Sequence, residues 1–205
     1  MSFQWLNIAK RLQSIAQAGL TFAEGKYDRE RYEQLRDISI EILENFSDGD
    51  ETIIRKMFAS ETGYQTPKVD VRGVVFRDNK ILMVREYADN RWALPGGWCE
   101  VGLTPRENVE KEVEEEAGLL VKAEKVLAIF DKKCHSHPPD IYAAYKLFIL
   151  CSETGGNLQT GMETVDVGFF AKPELPALSK DRNTESQILE MFRYLENPEQ
   201  DLIFD

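Results

Sequence analysis

"LPGGWCEVGLTPRENVEKEVEEEAGLL", residues Leu94–Leu120, sets seven glutamates downstream of a Pro-Gly-Gly turn. Thr104, Pro105 and Glu107 announce a helix. The threonine hydroxyl can accept from the third helical amide while the glutamate reaches back, and proline suits the first helical position. Gly118 stands where a left-handed C-cap is expected, so the helix runs from Pro105 to Ala117. On it Glu112, Glu115 and Glu116 fall at i, i+3 and i+4, which puts three carboxylates on one face. Like charges at this spacing destabilise a helix by about 0.2–0.5 kcal/mol per pair, and the C-terminal turn prefers cations. A hard divalent cation removes the conflict, because Mg²⁺ takes oxygen ligands from a few carboxylates and keeps water and phosphate for the rest of its shell. The competing reading is a solvated acidic face, partly offset by Lys111. Pro95, Gly96 and Gly97 weigh against it: their backbone can approach a ligand closely, and a carbonyl there, that of Gly96, can join a metal shell.

Composition narrows the classes. The chain has 205 residues, 42% hydrophobic and 30% charged, as expected of a globular protein with room for one domain and a smaller appendage. A net charge of −11 argues against tight binding to duplex nucleic acid but not against a polyanionic small molecule bound through a metal. No apolar run approaches the ~20 residues needed to span a bilayer, so no membrane partner is expected. The opening "MSFQWLNIAKRLQSIAQ" has polar residues every three or four positions and does not read as a secretory signal. Cys99, Cys134 and Cys151 are scattered without metal-ligand spacing, which predicts free thiols and a reducing, cytoplasmic setting.

Along the chain, Phe3, Leu6, Ala9, Leu12, Ile15 and Ala16 keep helical spacing over residues 3–22. Asp28 is the expected N-cap of a second helix reaching Phe46, and a third short helix is expected at about Glu51–Phe58. Residues 1–64 therefore read as a small all-helical domain, too small to bury much surface alone. Pro67 then breaks the pattern. Val69–Phe76 and "KILMVRE" form a hairpin across "RDN", and further strands are expected near Lys122–Asp131, Tyr142–Cys151 and Val165–Phe170. A last amphipathic helix spans Asp181–Leu195. Strands mixed with two helices predict a layered α/β domain over residues 65–205. His135 and His137, without a third ligand nearby, read as loop residues meeting solvent or substrate.

The stretch resembles the box of the Nudix hydrolases: glycine, five residues, glutamate, seven residues, then arginine-glutamate-apolar-any-glutamate-glutamate-any-glycine-apolar. From Gly97 this chain gives Leu103, Lys111, Glu112, Val113, Glu114, Glu115, Glu116, Ala117, Gly118 and Leu119. The metal-binding half is intact. Leu103 replaces the first glutamate and Lys111 the arginine, which loses a bidentate fork; Glu100 is placed to stand in for the missing carboxylate. The resemblance implies an α/β/α sandwich with a mixed sheet behind a helical N-terminal domain. It also implies hydrolysis of a nucleoside diphosphate joined to another moiety, with Mg²⁺ or Mn²⁺ on Glu112, Glu115 and Glu116. By the same resemblance Glu116 or Glu163 is the base, Glu163 entering a strand where some family members carry one.

"LNIAKRLQSIAQAGLTF", "YDRERYEQLRDIS" and "SHPPDIYAAYKLFILC" are similar to a bacterial branch that cleaves CDP-choline to CMP and phosphocholine, often labelled ADP-ribose pyrophosphatase. The small helical domain is expected to pack on the rest of the chain or on a second copy, as the arm of a homodimer, and secondary exonuclease action on RNA 3′ ends would be the same phosphoryl chemistry. A choline group favours an aromatic cage, for which Tyr64, Trp92, Trp98 and Tyr142 are available. Arg72 and Arg85, on strands close to the box, are candidates to hold phosphates. The alternatives are ADP-ribose hydrolysis and, in another class, a non-catalytic nucleotide-binding module.

Overall fold

The structure is a computed structural model and describes residues 3–46, 59 and 61–205. It divides into two compact units. Residues 1–67 and 139–142 form one, and residues 68–138 and 143–205 the other. The third helix expected at about Glu51–Phe58 lies outside the described residues.

In the first unit, α1 (Phe3–Phe22) and α2 (Lys26–Phe46) bury Leu6, Ala9, Ile40 and Leu43 together with Ala59. The second helix starts two residues before Asp28, so Asp28 is not its N-cap. It lies in the first turn, where a carboxylate favours the helix dipole, and it pairs with Arg31. Lys10 Nζ donates to the carbonyls of Asp140 and Tyr142, each at 2.9 Å. That bond places the Pro139–Tyr142 turn with the helices rather than with the strands flanking it in sequence.

The second unit is a sheet between two helices. Its strands are β1 (Lys68–Arg77), β2 (Lys80–Glu86), β3 (Trp92–Ala93), β4 (Leu119–Asp131), β5 (Ala144–Gly156), β6 (Thr164–Ala171) and β7 (Ile203–Phe204), with α3 (Pro105–Ala117) and α4 (Glu185–Glu196). The sheet order is β3-β2-β1-β5-β4-β7, with β6 on β2. The β1–β5 and β4–β7 pairs are parallel and the rest antiparallel. The short strands β3 and β7 carry no periodicity of their own and were not expected. Asp78 and Asn79, both at positive φ, make the two-residue turn whose twist suits a hairpin.

Alternation along the strands sorts the core into two layers. Val71, Val75, Leu82 and Val84 pack with Val109, Val113 and Ala117 of α3. Val74, Ile81, Met83 and Phe148 pack with Ile188, Met191 and Phe192 of α4. The expected α/β/α sandwich is what forms. The last helix begins four residues later than its apolar pattern suggested, because the capping box of Thr184 and Gln187 fixes its start.

Candidate active site

β1 and β2 pair at only two positions beside their turn, Phe76 with Ile81 and Arg77 with Lys80. Beyond that the free edge of β1 is taken by the loop leaving β3. Gly73, Val71 and Cys99 amides donate to the Pro95, Gly97 and Val69 carbonyls, a strand-like pairing that presses the Pro-Gly-Gly turn against β1. Gly96 adopts φ +142°, and a Cβ there would overlap the Val71 carbonyl oxygen. A Cβ on Gly97 would stand 2.8 Å from Glu112 Oε1. Glycine is required at Gly96 by the backbone, while at Gly97 a side chain would displace the Glu112 carboxylate.

Opposite the turn lies α3, bounded as its local signals predicted. The Thr104–Glu107 capping box is formed and Gly118 closes the helix in the left-handed conformation. The loop after β5 covers the C-terminal turn. Gln159 N donates to the Ala117 carbonyl (3.0 Å) and Thr164 Oγ1 to that of Glu116 (2.9 Å). Thr164 also pairs with Glu86 in the sheet, while Tyr87 N donates to the Glu163 carbonyl (2.8 Å). The end of β2, the start of β6 and the last turn of α3 therefore meet at one place.

The three glutamates of α3 are not equivalent. Glu115 and Glu116 differ by ~100° around the axis and straddle Glu112. Glu116 is buried at 7% exposure and accepts from the Gly96 amide at 2.8 Å. Glu112 is half-buried beside Gly97. Glu115 turns outward and pairs with Lys111 at 3.2 Å. Burial pushes Glu116 up to about 8, assisted by Glu86 and Glu112 and opposed by Arg72 and the Gly96 amide. Burial also raises Glu112, with Glu115 and Glu163 adding to the effect against Arg72 and Lys111. Glu163 is thus close enough to be felt by Glu112.

Lys111 Nζ lies 2.7 Å from Glu100 Oε1. The carboxylate that Leu103 lacks is supplied three residues earlier, and both Glu100 and Glu115 hold the lysine.

Arg72, expected at a phosphate, is fully buried instead. Its guanidinium forks onto Asp70 at 2.9 and 2.7 Å and donates to the Leu94 carbonyl at 3.1 Å. Lys146 Nζ reaches the same Asp70 at 2.8 Å. Burial opposes all three charges, yet Arg72 and Lys146 together hold Asp70 below the usual carboxylate range. On the far side, Asn183 Oδ1 accepts from the Leu94 amide at 2.9 Å. Leu94, the residue before Pro95, is therefore clamped through both of its backbone groups. Arg85 is committed to Asn90 and Asp166 and lies over the Trp92 ring.

The cage candidates are divided between the two units. Trp92 packs edge-on against Phe170 at 4.6 Å. Tyr64 and Tyr142 belong to the helical unit, and Trp98 is a half-exposed residue beside the turn. His137, expected to meet solvent or substrate, is buried with Nδ1 at 2.7 Å from the Lys180 carbonyl. The Cys99 and Cys151 thiols are pushed up by burial to about 11 and about 12, which leaves them inert as nucleophiles.

Among the described residues no three acidic, histidine or cysteine side chains already form a metal cage. The donor set nevertheless suits a hard cation. It is all oxygen, Glu112 lies close enough to help raise Glu116, and glycines keep space open beside Glu112. Sequence reasoning missed Glu86, which is buried at 3% exposure and electrostatically coupled to Glu116. Its position at a strand end gave no signal.

Residues 66–192 match the description of the NUDIX domain, and residues 3–58 that of a UDP-X-like, N-terminal oligomerisation domain. The chain belongs to the Nudix family, and it is a hydrolase of pyrophosphate bonds. It is 50% identical over 202 residues, 98% of this chain and 97% of the other, to the Bacillus subtilis (strain 168) protein named "Putative ADP-ribose pyrophosphatase YjhB". Among solved structures it is similar to a UDP-X diphosphatase, with 36% identity, 98% of each chain covered and a TM-score of 0.64. It is also similar to an ADP-ribose pyrophosphatase from Streptococcus suis 89-1591, with 43% identity, 68% of this chain and all of the other covered, and a TM-score of 0.63. Among the described residues no helix is long and apolar enough to cross a membrane.

Proposed function

We propose that the chain hydrolyses a nucleoside diphosphate joined to a second moiety, using Mg²⁺ or Mn²⁺ held by Glu112 and Glu116 with the Gly96 carbonyl, and with Glu115 at the rim. The observation that carries this reading is the pairing of two partly desolvated carboxylates, one helical turn apart, against a glycine turn clamped from both sides. A divalent ion bound there supplies charge neutralisation of the diphosphate and a lowered pKa for an attacking water. The protein's own part is positional. Arg72 and Asn183 fix Leu94, the Gly96 amide orients Glu116, and the loop over the end of α3 presents Glu163 beside Glu112 as the group that takes the water's proton. Glu116 is the alternative base.

ADP-ribose is the first substrate to test, given the name of the relative that is half identical over nearly the whole chain. CDP-choline stands second: Trp98 remains a candidate face for the quaternary ammonium, while Trp92 is used in packing against Phe170. A panel of ADP-ribose, UDP-linked sugars, CDP-choline and an RNA oligonucleotide, run with each metal in ¹⁸O-labelled water, tests substrate, exonuclease action and the phosphorus attacked together. Absence of cleavage across the diphosphate panel would remove the reading and favour a nucleotide-binding module. The helical unit, matched to an oligomerisation domain, is proposed as the arm of a homodimer.

A further inference from the structure

Glu86 ends β2 in a position where a carboxylate is costly. It is 3% exposed, its Oε1 has no hydrogen-bond partner among the described residues, and its Oε2 meets Arg182 only at 3.4 Å. Removing a carboxylate from water costs several kcal/mol unless good partners replace the lost hydration. A 3.4 Å contact to one arginine is weak compensation, because charge-assisted hydrogen bonds run at ~2.7–2.9 Å. The surroundings are acidic as well. Strand alternation places Glu86 with Leu82 and Val84 on the side facing α3, where Glu116 feels its charge. Arg72 feels both, yet its hydrogen bonds go to Asp70 and Leu94. Two desolvated carboxylates thus share one distant guanidinium, and one of them has a bare oxygen. A carboxylate this poorly compensated takes up a proton unless something positive, or a water polarised by it, completes the site.

We propose that Glu86 belongs to the cation site: its bare Oε1 accepts a hydrogen bond from water in the shell of the divalent ion, and so holds that ion and its shell against Glu116. The inference rests on the metal-dependent reading above. It assigns a role to a residue outside the box, on a strand whose residues 81–84 are core.

Mn²⁺ binding to the full chain, followed by electron paramagnetic resonance without substrate, tests it. The parent and Glu116→Gln come first: no binding by the parent, or equal binding by Glu116→Gln, removes the metal reading itself. With those two distinguished, Glu86→Gln is expected to bind Mn²⁺ about ten times more weakly, in the range seen for outer-shell partners, with an unchanged or higher melting temperature. Arg182→Met is expected to leave the affinity within about twofold of the parent, as a rim charge would. If Glu86 served only as the counter-charge of Arg182, both variants would lower the melting temperature and neither would change Mn²⁺ affinity. That result overturns the proposal. Should Glu86→Gln not fold, Glu86→Asp keeps the charge and withdraws the oxygen by one methylene, and parent-like Mn²⁺ binding by it would likewise overturn the proposal.

Discussion

Glu112 and Glu116 stand one turn apart on α3, and burial sets their chemistry. A carboxylate raised to about 8 must lose its proton before it can ligate a cation. Mn²⁺ affinity is therefore expected to climb with pH, by about tenfold per unit until pH reaches about 8, and then to level off. In Glu116→Gln the slope should disappear; isothermal titration across pH 6–9 checks both. Either Glu112→Gln or Glu116→Gln should lower kcat by about a hundredfold or more, a loss typical of deleting a group that stabilises the transition state. Asp70 belongs to the scaffold. Asp70→Asn leaves Arg72 and Lys146 buried without their carboxylate and is expected to cost about 3–5 kcal/mol in denaturant unfolding. The Asp70–Lys146 pair could not be read from sequence, since the two residues are brought together by the parallel β1–β5 ladder.

The elements divide into those whose signals are local and those made by contact. α3 was legible to the residue because a capping box, an N1 proline and a C-cap glycine all lie within its own sequence. Thr104→Ala should accordingly cost about 1 kcal/mol in stability and leave the active-site geometry intact. The Pro-Gly-Gly segment is different. Its strand-like pairing with β1 exists only because β1 and β2 separate after two pairs. In Gly96→Ala the added Cβ meets the Val71 carbonyl and the backbone is left at an unfavourable φ. The displaced amide can no longer orient Glu116, and kcat is expected to fall by about a hundredfold with metal-free folding retained, as read by circular dichroism. The strands β3 and β7 went unread because two residues carry no period, and Asp28 was misassigned because α2 starts two residues ahead of the apolar pattern.

For the whole molecule, pH stability reports how tightly the second unit is closed. His137 is buried, and burial lowers it to about 4, with Lys146 and Lys132 adding to the shift against the Lys180 carbonyl. Its pKa is depressed on folding, so between about 4 and 6.5 the unfolded chain binds a proton that the native chain refuses. Stability is lost as pH falls through that window, at about 1.4 kcal/mol per unit at most. His137→Gln should flatten the slope relative to the parent, measured by unfolding at pH 4.5, 5.5 and 6.5. Assembly is the other property at this scale. The full chain is expected to run as a dimer in light scattering, and Ile15→Glu with Ile38→Glu, two exposed apolar residues of the helical unit, to make it a monomer.

By itself the sequence determined the bounds of α3, the layered α/β character of the second unit and the carboxylate triplet with its glycine turn, because capping, periodicity and turn chemistry act over a few neighbouring residues. It also pointed to Glu100 as a carboxylate near Leu103, and Glu100 pairs with Lys111. Only the tertiary structure decided which glutamates of the triplet point inward, that Arg72 is buried beneath the turn, and that Glu86 is buried where Glu116 feels its charge. Those outcomes depend on desolvation and on pairings between distant strands. Burial, not residue type, determines whether a charge is solvated, paired or left waiting for a cation.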